Sequence, residues 1–336
     1  MELFQQMLEN QYGIKANSEV TDGRFRGFQK NNDLYFVLNA SAYDPEELQE
    51  LNMLSRFMYG TGDWSVSQLC LTKDGNILCE WEEGRYCVWE SRKQEPPEPA
   101  KLGRRLAKFH QRGKLVPFKL EKVNRIGQWK QLWERRLDQM ESVWNSMLYQ
   151  PPESEFERMF LESFPYYMGL AENSIQYLVD TEIDERPSEL DSGTICHDRF
   201  SAKSWGTQFY IKNPVDWVFD HRARDVAEWI RSNYFINTQT YQPGLRQFIK
   251  DYQQRSPLSV FSWRLLYARL LFPLHYFDCV ETYFITGSEQ EKHFRSDQLR
   301  KYLNQTQEHE GFLGHFFQMA EVPVRRLKLP RVEWLY

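Results

Sequence analysis

The first ninety residues alternate between short β-prone runs and turn residues, whereas most of the remaining chain carries helical periodicity. "GRFRGFQ" and "LYFVLNAS" flank Lys30, Asn31, Asn32 and Asp33, a pattern that predicts a hairpin. "DPEELQELNMLSRFMYG" predicts a helix with Asp44 as N-cap and Pro45 at its first position. Leu48, Leu51 and Leu54 recur at helical spacing and form its core face. "SVSQLCLT", "NILCEWEE" and "RYCVWES" read as three further strands, with Asp74-Gly75 and Glu83-Gly84 at turns.

"RKQEPPEP" then ends the pattern, because closely spaced prolines amid charges mark a boundary or hinge. Beyond it, "LGRRLAKFHQRG" places Leu102, Leu106 and Phe109 on one helical face, and two long periodic segments come next. An interval with β character, Thr194 to Val218, interrupts the helices before "ARDVAEWIRSNYF" resumes them. The apolar stretch "RLLYARLLFPLHYF" is broken by Arg264, Arg269, Pro273 and His275. It reads as a buried helix and not as a membrane span.

The expected fold class is therefore α+β, in the element order of a bilobal, protein-kinase-like fold. Its expected parts are a β-rich N-lobe with one helix over 1–91, a hinge over 92–99 and a helical C-lobe over 100–336. Composition narrows the partners. The net charge of −5 and a 26% charged content give no general attraction to nucleic-acid phosphates. The five cysteines, Cys70, Cys79, Cys87, Cys196 and Cys279, are odd in number and contain no CxxC. Reduced thiols in a cytoplasmic protein are the expectation. The opening "MELFQQMLENQYG" has neither the basic start nor the apolar core of a signal peptide.

Candidate chemistry concentrates in "CHDRFSAKSW", "NPVDWVFD" and "RARDVAEWIR". Phosphoryl transfer needs a carboxylate beside the acceptor hydroxyl, and a second one, helped by an amide oxygen, to hold Mg²⁺ on the nucleotide. Asp216, after an apolar step and before Trp217, is the candidate magnesium ligand; a turn-capping role suits it equally. Asp225 sits at a helix start, where capping or loop anchoring is the natural role. His110, at the end of "LAKFH", is expected to be buried and hydrogen-bonded.

This set resembles the aminoglycoside-phosphotransferase-like superfamily, which carries H-G-D-x-x-x-x-N, an apolar strand ending in D-[WF], and a helix opening D-[LV]-[AS]. Within it the chain is similar to the spore coat protein S family, on "LGRRLAKFHQRG", "CHDRFSAKSW", "NPVDWVFDHRARDVAEWIR" and "SWRLLYARLLFPLHYF". Placing His197 on the family histidine puts Arg199 at the catalytic-acid position and Ser204 at the asparagine position. Registering on Asp198 instead makes Asp198 the candidate catalytic acid and puts Lys203 at the asparagine position. An arginine neither accepts a hydroxyl proton nor binds Mg²⁺. The lysine that grips nucleotide phosphates is expected at Asn39, and Trp89, Glu90 and Ser91 are expected at the interlobe cleft.

The resemblance implies ATP and Mg as candidate cofactors, a small-molecule ligand in the cleft, and spore coat proteins as partners. It also implies a place in the mother-cell cytoplasm and the spore coat. With the lysine, the acid and the asparagine all altered, a non-catalytic role is the leading expectation. An active phosphotransferase on a small hydroxylated or amino substrate, and a nucleotide sensor without turnover, are the alternatives.

Overall fold

The computed structural model describes residues 2–23, 25–98 and 101–335. Arg24, and Pro99 and Ala100, at the end of the expected hinge and the start of the expected C-lobe, lie outside the described residues.

Helix α1 (Glu2–Met7) continues into a π-helical turn over Leu8–Tyr12. Next come β1 (Ser18–Asp22), β2 (Phe25–Lys30), β3 (Asp33–Asn39) and α2 (Pro45–Gly60). Strands β4 (Gln68–Cys70), β5 (Cys79–Trp81) and β6 (Gly84–Arg92) come after it, then α3 (Leu102–Gly113), α4 (Trp129–Met147) and α5 (Glu155–Asp184). Strands β7 (Thr194–His197) and β8 (Trp217–Asp220) precede α6 (Ala223–Ile236), α7 (Tyr241–Gln253) and α8 (Val260–Leu271). The chain closes with α9 (Leu274–Ile285), α10 (Glu289–Asn304), α11 (Thr306–Met319) and α12 (Val324–Leu327).

The chain forms two compact units. The first comprises Met1–Arg125, Ser192–Asn237 and Lys250–Pro257; the second comprises Ile126–Asp191, Thr238–Ile249 and Leu258–Tyr336.

In the first unit the antiparallel order is β1-β2-β3-β6-β4, with β5 also pairing β6. The predicted hairpin is present, with Lys30 opposite Asp33 and Asn31 in the left-handed region at φ 56°. Strand alternation gives this sheet two apolar faces. Tyr35 and Val37 join Phe28 and Val88 against Met7 and Leu8. Leu34 and Phe36 pack on the other face with Phe209 and Ile211. Helix α2 begins as predicted: the Asp44 side chain accepts from the Glu46 amide, and Leu48, Leu51 and Leu54 are buried. Strand β1 is not predicted by the pattern, because its "SEVTD" has too few apolar residues to show an alternation.

The β interval of the sequence contributes two short strands, β7 and β8, paired antiparallel from Thr194 opposite Asp220 to His197 opposite Trp217. The nineteen positions between them are loop and a single 3₁₀ turn, Pro214–Asp216.

The second unit is helical. Arg136 of α4 reaches Asp278 and Glu281 of α9, and Trp133 stacks on Phe272 at 4.8 Å between ring centroids. The stretch that reads as one buried helix is two, α8 and α9. Phe272 precedes Pro273 and takes the extended ψ of 118° that a following proline imposes. Among the described residues no helix is long and apolar enough to cross a membrane. All five cysteines are free thiols.

Candidate functional site

The candidate site lies wholly within the first unit and starts from a buried anion. Asp225, in the first turn of α6, is fully buried. Its carboxylate accepts from the His197 amide at 2.8 Å, from His197 Nδ1 at 2.8 Å and from His110 Nε2 at 3.1 Å. Trp205 Nε1 donates to His197 Nε2 at 3.0 Å, so His197 is the neutral tautomer with its proton on Nδ1. Burial pushes the His110 pKa down, which keeps that ring neutral as well; its Nδ1 then accepts from the Tyr252 hydroxyl at 2.7 Å. Burial alone would raise the pKa of Asp225, but the hydrogen bonds donated by His197 and His110 oppose it and hold the carboxyl below the usual carboxylate range. Phe109 packs on His197, Trp205 and Trp217, with ring centroids 5.2 to 5.7 Å apart. Loop anchoring is thus the role of Asp225, and structural hydrogen bonding that of His110.

This anchor fixes where the loop after β7 leaves the sheet. The Asp198 amide donates to the Asp216 carbonyl at 2.7 Å. The Asp198 carboxylate faces Arg224 at 3.4 Å and Arg199 at 3.5 Å, and its side chain is 62% exposed. Ser204 ties the loop to itself: its hydroxyl accepts from the Ser201 amide at 2.8 Å and donates to the Arg199 carbonyl at 3.3 Å.

Asp216 lines a cavity of about 230 Å³ together with Asn213, Ser201, Lys203, Ser204 and Phe36. Asp22, Gly23 and Phe25 close it from the β1–β2 hairpin. Asp22 is buried, and its carboxylate accepts from the Thr207 amide at 2.7 Å, the Thr207 hydroxyl at 2.6 Å and the Gln208 amide at 3.2 Å. Gly206 allows this approach. Its φ is +87°, and a Cβ there would lie 1.9 Å from the Phe209 carbonyl oxygen and 2.6 Å from Asp22 Oδ2. The hairpin tip is therefore fastened to the loop beneath it.

The structure brings Asp216, Ser204 and Lys203 together but leaves the other sequence candidates elsewhere. Neither Asp198 nor Arg199 is among the residues lining the cavity. Asn39 ends β3 on the parity of Tyr35 and Val37, opposite to Phe36, and its side chain accepts from the Ser41 amide at 3.0 Å. The cavity-facing positions of β3 are thus even-numbered and apolar, so no lysine reaches the cavity from that strand. Trp89, Glu90 and Ser91 lie inside β6, paired on one side with Phe36, Tyr35 and Leu34. Trp89 is fully buried, Ser91 meets the Ser67 hydroxyl at 2.6 Å, and Glu90 accepts from Tyr35 at 3.1 Å. These three support the sheet core and line no cavity with Asp216.

Sequence reasoning misses Asp22 and Asn213. An isolated Asp-Gly in a turn and an Asn-Pro before a strand are common turn signals and do not announce a cavity.

A magnesium-bound triphosphate needs hard oxygen ligands plus positive charge on the phosphates. Asp216 supplies one carboxylate. The Asn213 side-chain oxygen already accepts from the Val215 amide at 3.2 Å, and Ser204 is engaged within its own loop. Among the described residues Lys203 is the single cation in the lining, and Asp22 adds a negative charge that offsets it where the phosphates would need a positive one. The donor set does not match that group.

The chain is similar to an aminoglycoside phosphotransferase from Alicyclobacillus acidocaldarius, with a TM-score of 0.64 at 16% identity over 91% of this chain and 93% of that one. It is also similar to a spectinomycin phosphotransferase, with a TM-score of 0.62 at 12% identity over 89% and 93%. A microcompartment-associated aminopropanol kinase gives 0.63 at 11% identity over 95% and 98%. The fold is that of the aminoglycoside-phosphotransferase-like kinases. The family described as "Spore coat putative kinase YutH" matches residues 5–316, and the chain belongs to it. It is 39% identical to the endospore coat-associated protein YutH of Bacillus subtilis over 329 residues, 98% of this chain and 97% of that protein.

Proposed function

We propose that this chain is a non-catalytic, kinase-like protein that acts in the assembly of the bacterial endospore coat by presenting a folded surface to coat proteins. The observation that carries this reading is the fastened hairpin. Asp22 holds the β1–β2 tip against Thr207 and Gln208 and leaves about 230 Å³ beside Asp216. That is below the roughly 300–1,000 Å³ of ordinary ligand pockets. Arg199 at the acid position and apolar side chains at the cavity-facing positions of β3 support the same reading. The relative's coat association supplies the biological setting.

Thermal melting with ATP and Mg²⁺ tests it, since a ligand bound only to the native state raises the melting temperature in proportion to its affinity. No rise, and no ADP formed with amino or hydroxylated acceptors, is expected. ADP formation lost in Asp198→Ala would establish the phosphotransferase instead. The presence of a carboxylate, Asp216, and a cation, Lys203, in one cavity favours a second reading, a nucleotide sensor without turnover. A melting rise abolished by Asp216→Ala, without ADP, would select it.

A further inference from the structure

A second cavity in the first unit has the opposite electrostatics. Its volume is about 420 Å³, within the usual range of ligand pockets, and it opens beside α3. Arg105, Lys108 and Arg112 of α3 line it at helical spacing on one face, and Lys212 adds a fourth cation from the chain before β8. Trp64, Phe109 and Tyr210 supply aromatic walls, and Trp64 is 67% exposed.

The single carboxylate in the lining, Asp63, is already engaged. It accepts from Lys212 Nζ at 2.7 and 2.9 Å and from Ser65 at 2.7 Å, and it pairs with Arg112 at 3.0 Å. Arg105 and Lys108 meet no carboxylate among the described residues. Arg105 donates to a carbonyl, that of Glu98, at 2.7 Å, while its buried Nε has no hydrogen-bond partner. A buried guanidinium nitrogen without an acceptor is unusual and costly. Burial accordingly pushes the Arg105 pKa down, and that of Lys212 to about 8, against the pull of Asp63. An incoming anion would relieve both.

We propose that this cavity is a binding site for a compact polyanion, a small molecule carrying two or more phosphate or carboxylate groups. Arg105 and Lys108 would take the charged groups, Lys212 and Arg112 would set the positive floor, and Trp64 would cover the apolar part. The cavity at Asp216 is a different one, in which, among the described residues, two carboxylates, Asp22 and Asp216, outnumber the single cation Lys203.

Isothermal titration of the full chain with pyrophosphate and, separately, with citrate tests it at low and at physiological ionic strength. Saturable binding of at least one of them is expected, and the stronger one identifies the charged group. In the double variant Arg105→Gln/Lys108→Gln the affinity should fall about tenfold or more, the scale of a lost charge-assisted contact. Lys203→Gln, in the other cavity, should leave it unchanged. If the double variant melts below the parent, Lys108→Gln alone replaces it, because Lys108 is exposed. No binding of either anion, unchanged affinity in the α3 variants, or loss in Lys203→Gln instead would each overturn the proposal.

Discussion

Two neighbouring regions of the first unit treat the same loop differently. At its base, Asp225, His197, His110, Trp205 and Tyr252 form a buried network in which the Asp225 carboxylate takes three donors. At its tip, the Asp198 carboxylate faces Arg224 and Arg199, and Ser204 bonds within the loop. The base positions the loop; the tip would carry any chemistry. The difference teaches that the two tasks are separable. The side chains that place the loop are buried and costly to lose, whereas Asp198 and Arg199 at its tip are largely solvated.

The comparison breaks most sharply at Asp225. Asp225→Ala removes the acceptor of three buried donors and should cost about 3–5 kcal/mol, read as a lower midpoint in urea unfolding. A loss under about 1 kcal/mol would mean that the base does not hold the fold.

The pH dependence of the base rests on His110. Its native pKa lies below the ordinary value of about 6.5, so the unfolded chain takes up the proton first as pH falls. Stability from this group is complete above about pH 6.5 and declines below it. Asp225, with its depressed pKa, adds a further loss only below the usual carboxylate range, near pH 4. His110→Gln can still donate to Asp225 and accept from Tyr252, and it should flatten the first of these declines. An unchanged slope between pH 7 and 5 would contradict the neutral assignment.

At the tip the expected effects shrink. Asp22→Ala frees the hairpin and should cost about 1–2 kcal/mol, with faster amide exchange at Thr207 and Gln208. Protection retained at both amides would show that the fastening lies elsewhere. Arg199→Asp, at a largely solvated position, should change stability by no more than about 0.5 kcal/mol. On the non-catalytic reading it should also show no ATP turnover, since it adds neither positive charge nor volume to the cavity at Asp216. Turnover in this variant would overturn that reading.

Legibility in the sequence divides along the same line. Alternation, spacing and capping residues predict the hairpin, helix α2 and the strands after it, and the structure has them. They over-extend helix α8, because apolar residues stand on both sides of Pro273 and the backbone restriction before proline ends the helix there. The base of the loop is partly readable, since His110 and Asp225 stand at motif positions. Its closure by Trp205 and Tyr252 is not, because those partners are eight and 142 residues from the histidines they meet. At Asn39 the strand parity is not legible, because it is fixed by which face packs on Phe209 and Ile211, and those residues lie far along the chain. Asp22 is invisible for the same reason.

Glu50 of α2 accepts three successive amides, those of Glu121, Lys122 and Val123, at 2.8 to 2.9 Å. The helix and that strip of chain can then slide past one another only by releasing all three contacts together. Half-exposed as Glu50 is, water softens that barrier without removing its concerted character. One carboxylate thereby sets the position of α2 against the chain that follows α3.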